Sequence, residues 1–267
     1  MTALRLYDVH CHLQDARLTD DLPAVLTRAA KAGVARMMCC GTVPADWPTV
    51  LDLAARYRQV RPSLGLHPWY LEQRTADCRE RLEALVAGNV CGVGEIGLDH
   101  HLPADTRPLQ LELFRFQVGL ANRYGRPVSI HCRRAWRPLL ETLKALGGLT
   151  AGGLVHAYGG APDIVAALAR RNVSVSFGGG ITRPNARRPV EACRAVAPHH
   201  LLVETDSPDI LPTGCPGPHN EPACLVEVIR AVATARGLET SEAADLTWNN
   251  ARRLFAGLEP PEKRIGL

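Results

Sequence analysis

The feature that most constrains this chain is a rhythm. Short, continuously apolar stretches end in a glycine or a polar residue, and each is followed by a segment with helical spacing. The first apolar stretch leads into His10; the others cover 34–40, 60–66, 90–95, 127–131, 153–156, 173–177 and 201–204. Helical spacing fills 21–32, 46–57, 75–87, 106–124, 135–146, 162–171 and 189–196 between them, and 221–236 and 241–255 after the last. In 21–32, Leu22, Val25, Leu26 and Ala29 share a face, as do Leu109, Leu113, Phe116 and Leu120 in 106–124. That is the stripe of an amphipathic helix. Strands that are apolar throughout are buried on both faces, as in a parallel sheet covered by helices. Eight such units in 267 residues predict a single-domain (β/α)8 barrel of the TIM type. A doubly wound open sheet is the alternative. No linker or low-complexity tract divides the chain, so 1–256 is expected as one barrel and 257–267 as a C-terminal tail. Ser241 is the expected N-cap of the last helix.

A barrel of this kind opens the C-terminal ends of all its strands on one rim, where side chains from different strands converge. The residues at these strand ends are specific in type. The first strand ends in His10 and His12, which two-residue spacing aims at one point. The third ends in His67, and the fourth in Glu95 with Asp99 beyond it. The fifth ends in His131, the sixth in His156, and the eighth in Glu204 and Asp206. Imidazoles and carboxylates are the ligands of zinc, manganese and similar divalent metals. In a closed barrel the first and eighth strands are neighbours, so His10, His12 and Asp206 are expected to share one metal. His131 and His156, on adjacent strands, are expected to hold a second. Glu95 has two oxygens and is expected to bridge both. Two divalent cations in this donor set leave excess positive charge, suited to an anionic phosphodiester, and metals acidify bound water.

Composition removes other classes. Hydrophobic residues make up 46% and charged residues 22%, ordinary for a globular protein. The longest apolar runs are too short to span a bilayer, and Met1-Thr2-Ala3-Leu4-Arg5 lacks a signal peptide's apolar core. A cytoplasmic monomer without membrane contact is expected. The nine cysteines are an odd number and scattered, several within apolar runs such as Cys39, Cys40 and Cys91. Reduced, mostly buried thiols are therefore expected rather than a disulfide framework. The net charge of +4 permits an acidic partner without requiring one.

Several motifs resemble those of the TatD family of metal-dependent deoxyribonucleases, amidohydrolase-like TIM barrels. They are Tyr7-Asp-Val-His-Cys-His-Leu13, Gly65-Leu-His-Pro68, Gly94-Glu-Ile-Gly-Leu-Asp99, Val128-Ser-Ile-His-Cys-Arg133, Val155-His156, Glu204-Thr-Asp-Ser-Pro208 and Asn220-Glu-Pro222. The resemblance runs in order from Tyr7 to Phe255. It implies metal ligands at His10, His12, Glu95, His131, His156 and Asp206, the residues already singled out. It also implies metal-dependent hydrolysis of DNA, typically as a 3′ exonuclease, with RNA as the other candidate substrate. His67 is then expected to support the ligands or to contact phosphate. Asp206 and Glu95 are the expected catalytic carboxylates, with Glu204 deeper in its strand.

Two stretches depart from the family pattern. Asp99-His100-His101 stands where aromatic residues are usual, and 179–188 is unusually basic. Arg133, Arg134, Arg187 and Arg188 are the candidate backbone-binding residues, with Arg137 and Arg183 nearby in sequence. Trp69 and Tyr70 are candidates to stack a base. The competing reading is an amidohydrolase, lactonase or esterase acting on a small molecule on the same fold. Some of those enzymes bridge their metals with a carboxylated lysine. The three lysines here, Lys31, Lys144 and Lys263, avoid the strand ends.

Overall fold

A computed structural model describes residues 4–259. Its strands are β1 (Leu6–Cys11), β2 (Val34–Cys40), β3 (Val60–Leu64), β4 (Gly92–Asp99), β5 (Val128–Arg133), β6 (Gly153–Val155), β7 (Val173–Phe177) and β8 (Leu201–Val203). The helices between them are α1 (Ala16–Thr19), α2 (Leu22–Lys31), α3 (Trp47–Arg56), α4 (Cys78–Gly88), α5 (Arg107–Tyr124), α6 (Trp136–Ala145), α7 (Pro162–Ala169) and α8 (Arg187–Ala195). Two more, α9 (Leu225–Arg236) and α10 (Thr240–Leu254), follow β8. Proline in the first turn opens α2, α3, α5 and α7, where its missing N–H costs nothing.

The strands form one parallel sheet in the order β1 to β8. The seam between β8 and β1 closes just beyond the strand ends. Asp206 N donates to His10 O at 2.9 Å, and His12 N donates to Ser207 O at 2.8 Å. The buried Asp8 carboxylate adds two more links, accepting from Thr205 N at 2.9 Å and Thr205 Oγ1 at 2.5 Å. The chain is thus a (β/α)8 barrel, as the alternation predicts, and not an open sheet.

β4 departs from its expected length and continues to Asp99. Two glycines make this possible. A Cβ on Gly97 (φ +153°) would stand 1.9 Å from His131 O, and one on Gly94 (φ +155°) 2.7 Å from Ser129 O. Only glycine tolerates both the backbone and the approach, so β4 lies tight against β5 and brings Glu95 beside His131.

Other expectations are corrected. Ser241 does not cap α10; Glu239 does, in a reciprocal capping box with Glu242. The cysteines are not all reduced. Cys215 and Cys224 are disulfide-bonded, with Cα atoms 6.0 Å apart, because the loop after β8 folds back on itself. The other seven are free, and all but Cys132 are buried. Of the segment expected as a tail, Leu258 is buried and Glu259 pairs with Arg61 at 2.7 Å; 260–267 lie outside the described residues.

Two apolar clusters fill the fold. The larger joins strands to helices around the barrel. The smaller packs Tyr7, Met38, Leu154 and Leu202 against Trp248 of α10 and Phe255 just after it. Tyr7, Arg36 and Arg61 stand near the starts of their strands, so Glu259 lies at the end opposite the ligand rim. Among the described residues no helix is long and apolar enough to cross a membrane.

Candidate metal centre

The six ligand candidates converge, and Glu95 stands at their centre. Its Oε2 lies 3.3 Å from His10 Nε2 and 3.4 Å from His12 Nε2. Its Oε1 lies 2.7 Å from His156 Nε2, 3.3 Å from His131 Nδ1 and 3.1 Å from His67 Nε2. Asp206 Oδ1 is 3.6 Å from His10 Nε2, 3.5 Å from His12 Nε2 and 3.9 Å from His156 Nδ1. Asp206 has φ +56°, a left-handed conformation that aspartate tolerates better than most residues. The β8–β1 seam holds it there.

The imidazoles of His10, His12 and His131 are each aimed by their other nitrogen. His10 Nδ1 lies 2.7 Å from Ser129 Oγ, and His12 Nδ1 lies 2.8 Å from Cys40 O. Both Nε2 atoms therefore point inward and are 3.2 Å apart. His131 is reversed: its Nε2 lies 3.1 Å from Asp99 Oδ2, so Nδ1 faces the centre. Glu204 is fully buried. It accepts from Ala157 N and Ser176 Oγ, with Oε1 3.7 Å from His156 Nδ1, so it supports the β6 end and stays out of the centre.

Three groups of donors lie close enough to hold an ion: His10, His12 and Glu95; His10, His156 and Asp206; His67, Glu95 and His131. Two features go beyond the expected division. Asp206 reaches His156, whose ring stacks on that of His10 at 4.1 Å, as well as His10 and His12. His67 joins the cluster and is 4% exposed. Its Nδ1 accepts from Trp69 N at 3.1 Å, so the proton sits on Nε2, which donates to Glu95. His67 in this tautomer is a hydrogen-bond donor and not a ligand.

The donor set fits divalent cations. Burial alone would push the Glu95 carboxyl up, but the imidazoles of His67, His156 and His10 outweigh it and hold it well below its usual range. Asp206 is likewise lowered: burial is outweighed by His12, His156 and His10. Burial opposes charge on His12 and His156, yet neighbouring carboxylates raise both well above an ordinary histidine. The cluster therefore holds ionised carboxylates and draws positive charge. His156 Nδ1 is buried without a hydrogen-bond partner, which is costly for a polar atom unless a ligand satisfies it.

A cavity of about 910 Å³ opens above the cluster. His12, His67, Glu95, His131, His156 and Asp206 form its floor, and His10 is buried behind them. Arg133, Arg134 and Arg188 line the wall; Arg187, the neighbouring residue on α8, is exposed but does not line it. Among the described residues none of these four guanidiniums has a carboxylate partner. On the other side Arg17 is already paired, with Asp15 at 2.9 Å and Asp209 at 2.8 Å. Sequence reading missed Ser129 and Arg17. Ser129 was findable, since it stands two residues before His131 on the same strand face; Arg17 carried no such signal.

Comparison with known proteins shows the family and the fold. The family described as TatD related DNase matches residues 7–256. The chain is 32% identical over 254 residues to the uncharacterized metal-dependent hydrolase YabD of Bacillus subtilis, covering 94% of this chain and 98% of that protein. It is 30% identical to the 3′-5′ ssDNA/RNA exonuclease TatD of Enterobacter lignolyticus, covering 94% and 98%. The crystal structure of YjjV, a TatD homologue from Escherichia coli, superposes with a TM-score of 0.90 at 32% identity, covering 96% of this chain and 99% of that one.

Proposed function

The chain belongs to the TatD-related DNase family of metal-dependent hydrolases, and on that footing we propose that it trims DNA from the 3′ end, with RNA as a second substrate. The observation that carries this reading is the Glu95 carboxylate. One oxygen faces His10 and His12, and the other faces His131 and His156. A carboxylate so divided suits a bridge between two divalent ions, magnesium, manganese or zinc. His10, His12 and Asp206 would hold one ion, and His131 and His156 the other. When bound, such ions supply Lewis-acid charge against phosphoryl oxygens and acidify water.

The chain's own groups do the rest. Asp206 has one oxygen in the cluster and the other free to orient a water and accept its proton. The water oxygen bonds to phosphorus, and the bond from phosphorus to the 3′ oxygen of the preceding nucleotide breaks. That oxygen takes up a proton, and a 5′-mononucleotide leaves. His67 Nε2–H donates to Glu95 and so holds that carboxylate in place beside the reacting phosphate. Arg133, Arg134, Arg187 and Arg188, free of carboxylate partners, hold the remaining backbone.

The relative named as a 3′-5′ exonuclease on single-stranded DNA and RNA supports the polarity and both substrates. Every donor comes from one chain, which supports action as a monomer. Lys31 and Lys144 lie in α2 and α6, so among the described residues no lysine is in place to be the carboxylated bridge of the small-molecule reading. The test is to give the metal-loaded protein 5′-labelled single-stranded DNA and RNA beside a panel of small esters, lactones and amides. Shortening from the 3′ end with release of 5′-mononucleotides, abolished by EDTA and restored by divalent metal, is expected. Turnover of the small molecules with the oligonucleotides intact overturns the reading.

A further inference from the structure

Among the described residues Trp69 is one of three large apolar side chains left exposed, at 51%, and the one of them that lines the cavity. It is not loose. Its indole N–H donates to Asp99 Oδ2 at 2.6 Å, and its backbone N–H donates to His67 Nδ1 at 3.1 Å. The ring meets His67 edge to face at 5.2 Å and His131 at 5.8 Å. Asp99 is fully buried, and the oxygen that takes the indole proton also lies 3.1 Å from His131 Nε2. One carboxylate oxygen thus fixes an open aromatic ring and a member of the donor cluster together.

We propose that Trp69 is the stacking platform for the base of the nucleotide whose phosphate is attacked, with Asp99 as the positioning residue that sets its distance from the donor cluster. The proposal rests on the phosphodiesterase reading. A rigid exposed indole offers a flat apolar face at little entropic cost, and every base has a matching face. The distance selects which base. Trp69 touches His67 and His131, and both of these touch Glu95 Oε1. A base on the indole therefore belongs to the nucleotide that carries the reacting phosphorus. Stacking does not read the base's edge, so all four bases are favoured over an abasic residue.

The test compares binding and turnover on ligands with and without a base. In the metal-loaded protein, 5′-dAMP and 5′-dTMP should bind roughly tenfold or more tighter than 2-deoxyribose 5-phosphate. Trp69→Ala should erase that difference and leave 2-deoxyribose 5-phosphate binding unchanged. Trp69→Phe should keep part of it, and Asp99→Ala should reduce it although the indole remains. On oligonucleotides, Trp69→Ala should raise KM for an ordinary 3′ end and leave both kcat and the cleavage of an abasic 3′ end within a few-fold. Equal weakening of base-bearing and abasic ligands, or no base preference in the unaltered protein, overturns the platform. The two readings fail differently. Trp69-dependent dAMP binding with no oligonucleotide cut retires the phosphodiesterase and keeps the platform. Cutting without base preference does the reverse.

Discussion

The two ends of the barrel each set carboxylates against basic side chains and use them in opposite ways. At the closed end one carboxylate, Glu259, meets two permanent cations, Arg61 at 2.7 Å and Arg36 at 3.3 Å. Arg61 also donates to the carbonyls of Arg58 and Val60. Charge there is met inside the chain, two guanidiniums to one carboxylate, although Arg61 Nε itself makes no hydrogen bond. At the open end Glu95 and Asp206 face imidazoles, whose charge is conditional, and His156 Nδ1 makes no hydrogen bond. The balancing charge there comes from protons on the imidazoles or from a bound cation. A cluster balanced by permanent charges contributes stability; one whose balancing charge can be exchanged is suited to bind a cation.

The largest expected effect breaks the open end at Asp206. Asp206→Asn keeps the size and one acceptor but loses the charge and the proton acceptor. Turnover should fall by about 10²–10⁴ or more, with the melting temperature of the metal-free protein little changed. Glu204→Gln measured alongside should act through disturbed packing of the β6 end. Near-normal turnover in Asp206→Asn, or loss in Glu204→Gln alone, would sink the assignment.

Metal is the second lever. If the open end is incomplete without cations, a divalent ion at a hundred times its dissociation constant should stabilise the fold by about 2.7 kcal/mol, seen as a rise in melting temperature that EDTA reverses. Glu95→Gln should flatten that response, whereas Glu259→Gln should not. An equal response in all three proteins would mean that metal binds elsewhere.

A smaller effect separates free guanidiniums from paired ones. Replacing Arg133, Arg134, Arg187 and Arg188 together with alanine should weaken single-stranded DNA binding about tenfold or more, broadly across sequences. The slope of log affinity against log salt should drop by about 0.7 for each phosphate no longer neutralised. Arg61, held by Glu259, should not alter that slope when changed. An unchanged slope in the quadruple variant would dispose of the idea that these arginines hold the backbone.

The smallest effect is at the closed end. Glu259→Gln should cost about 1 kcal/mol, because Arg61 keeps its carbonyl partners, with turnover per folded molecule unchanged. The pH dependence has a definite sign. Burial works against the Glu259 carboxylate, but the Arg61 and Arg36 guanidiniums outweigh it and hold its pKa below the usual carboxylate range. Its contribution is therefore present above the unfolded value and lost as pH falls through the folded one. Urea midpoints measured from neutral to acid pH should fall less steeply in Glu259→Gln; parallel curves would show that the pair contributes nothing.

The barrel and the residue types on its rim follow from the order of amino acids alone. Eight apolar runs separated by helical spacing leave few other ways to bury both faces of every strand. The two-residue period of a strand tells that His10 and His12 share a side, as Ser129 and His131 do. That period carries no information about distance between strands. It took the folded chain to press β4 against β5 through Gly94 and Gly97 and so to centre Glu95. The same holds for His67, whose tautomer depends on a backbone N–H two residues ahead, and for Asp206, whose aim depends on closure of the β8–β1 seam. Cys215 and Cys224 meet because a loop turns back, and Trp69 finds Asp99 across 30 residues. Periodicity tells only which residues share a face, whereas register, loop path and proton position are set by the particular contacts the folded chain makes.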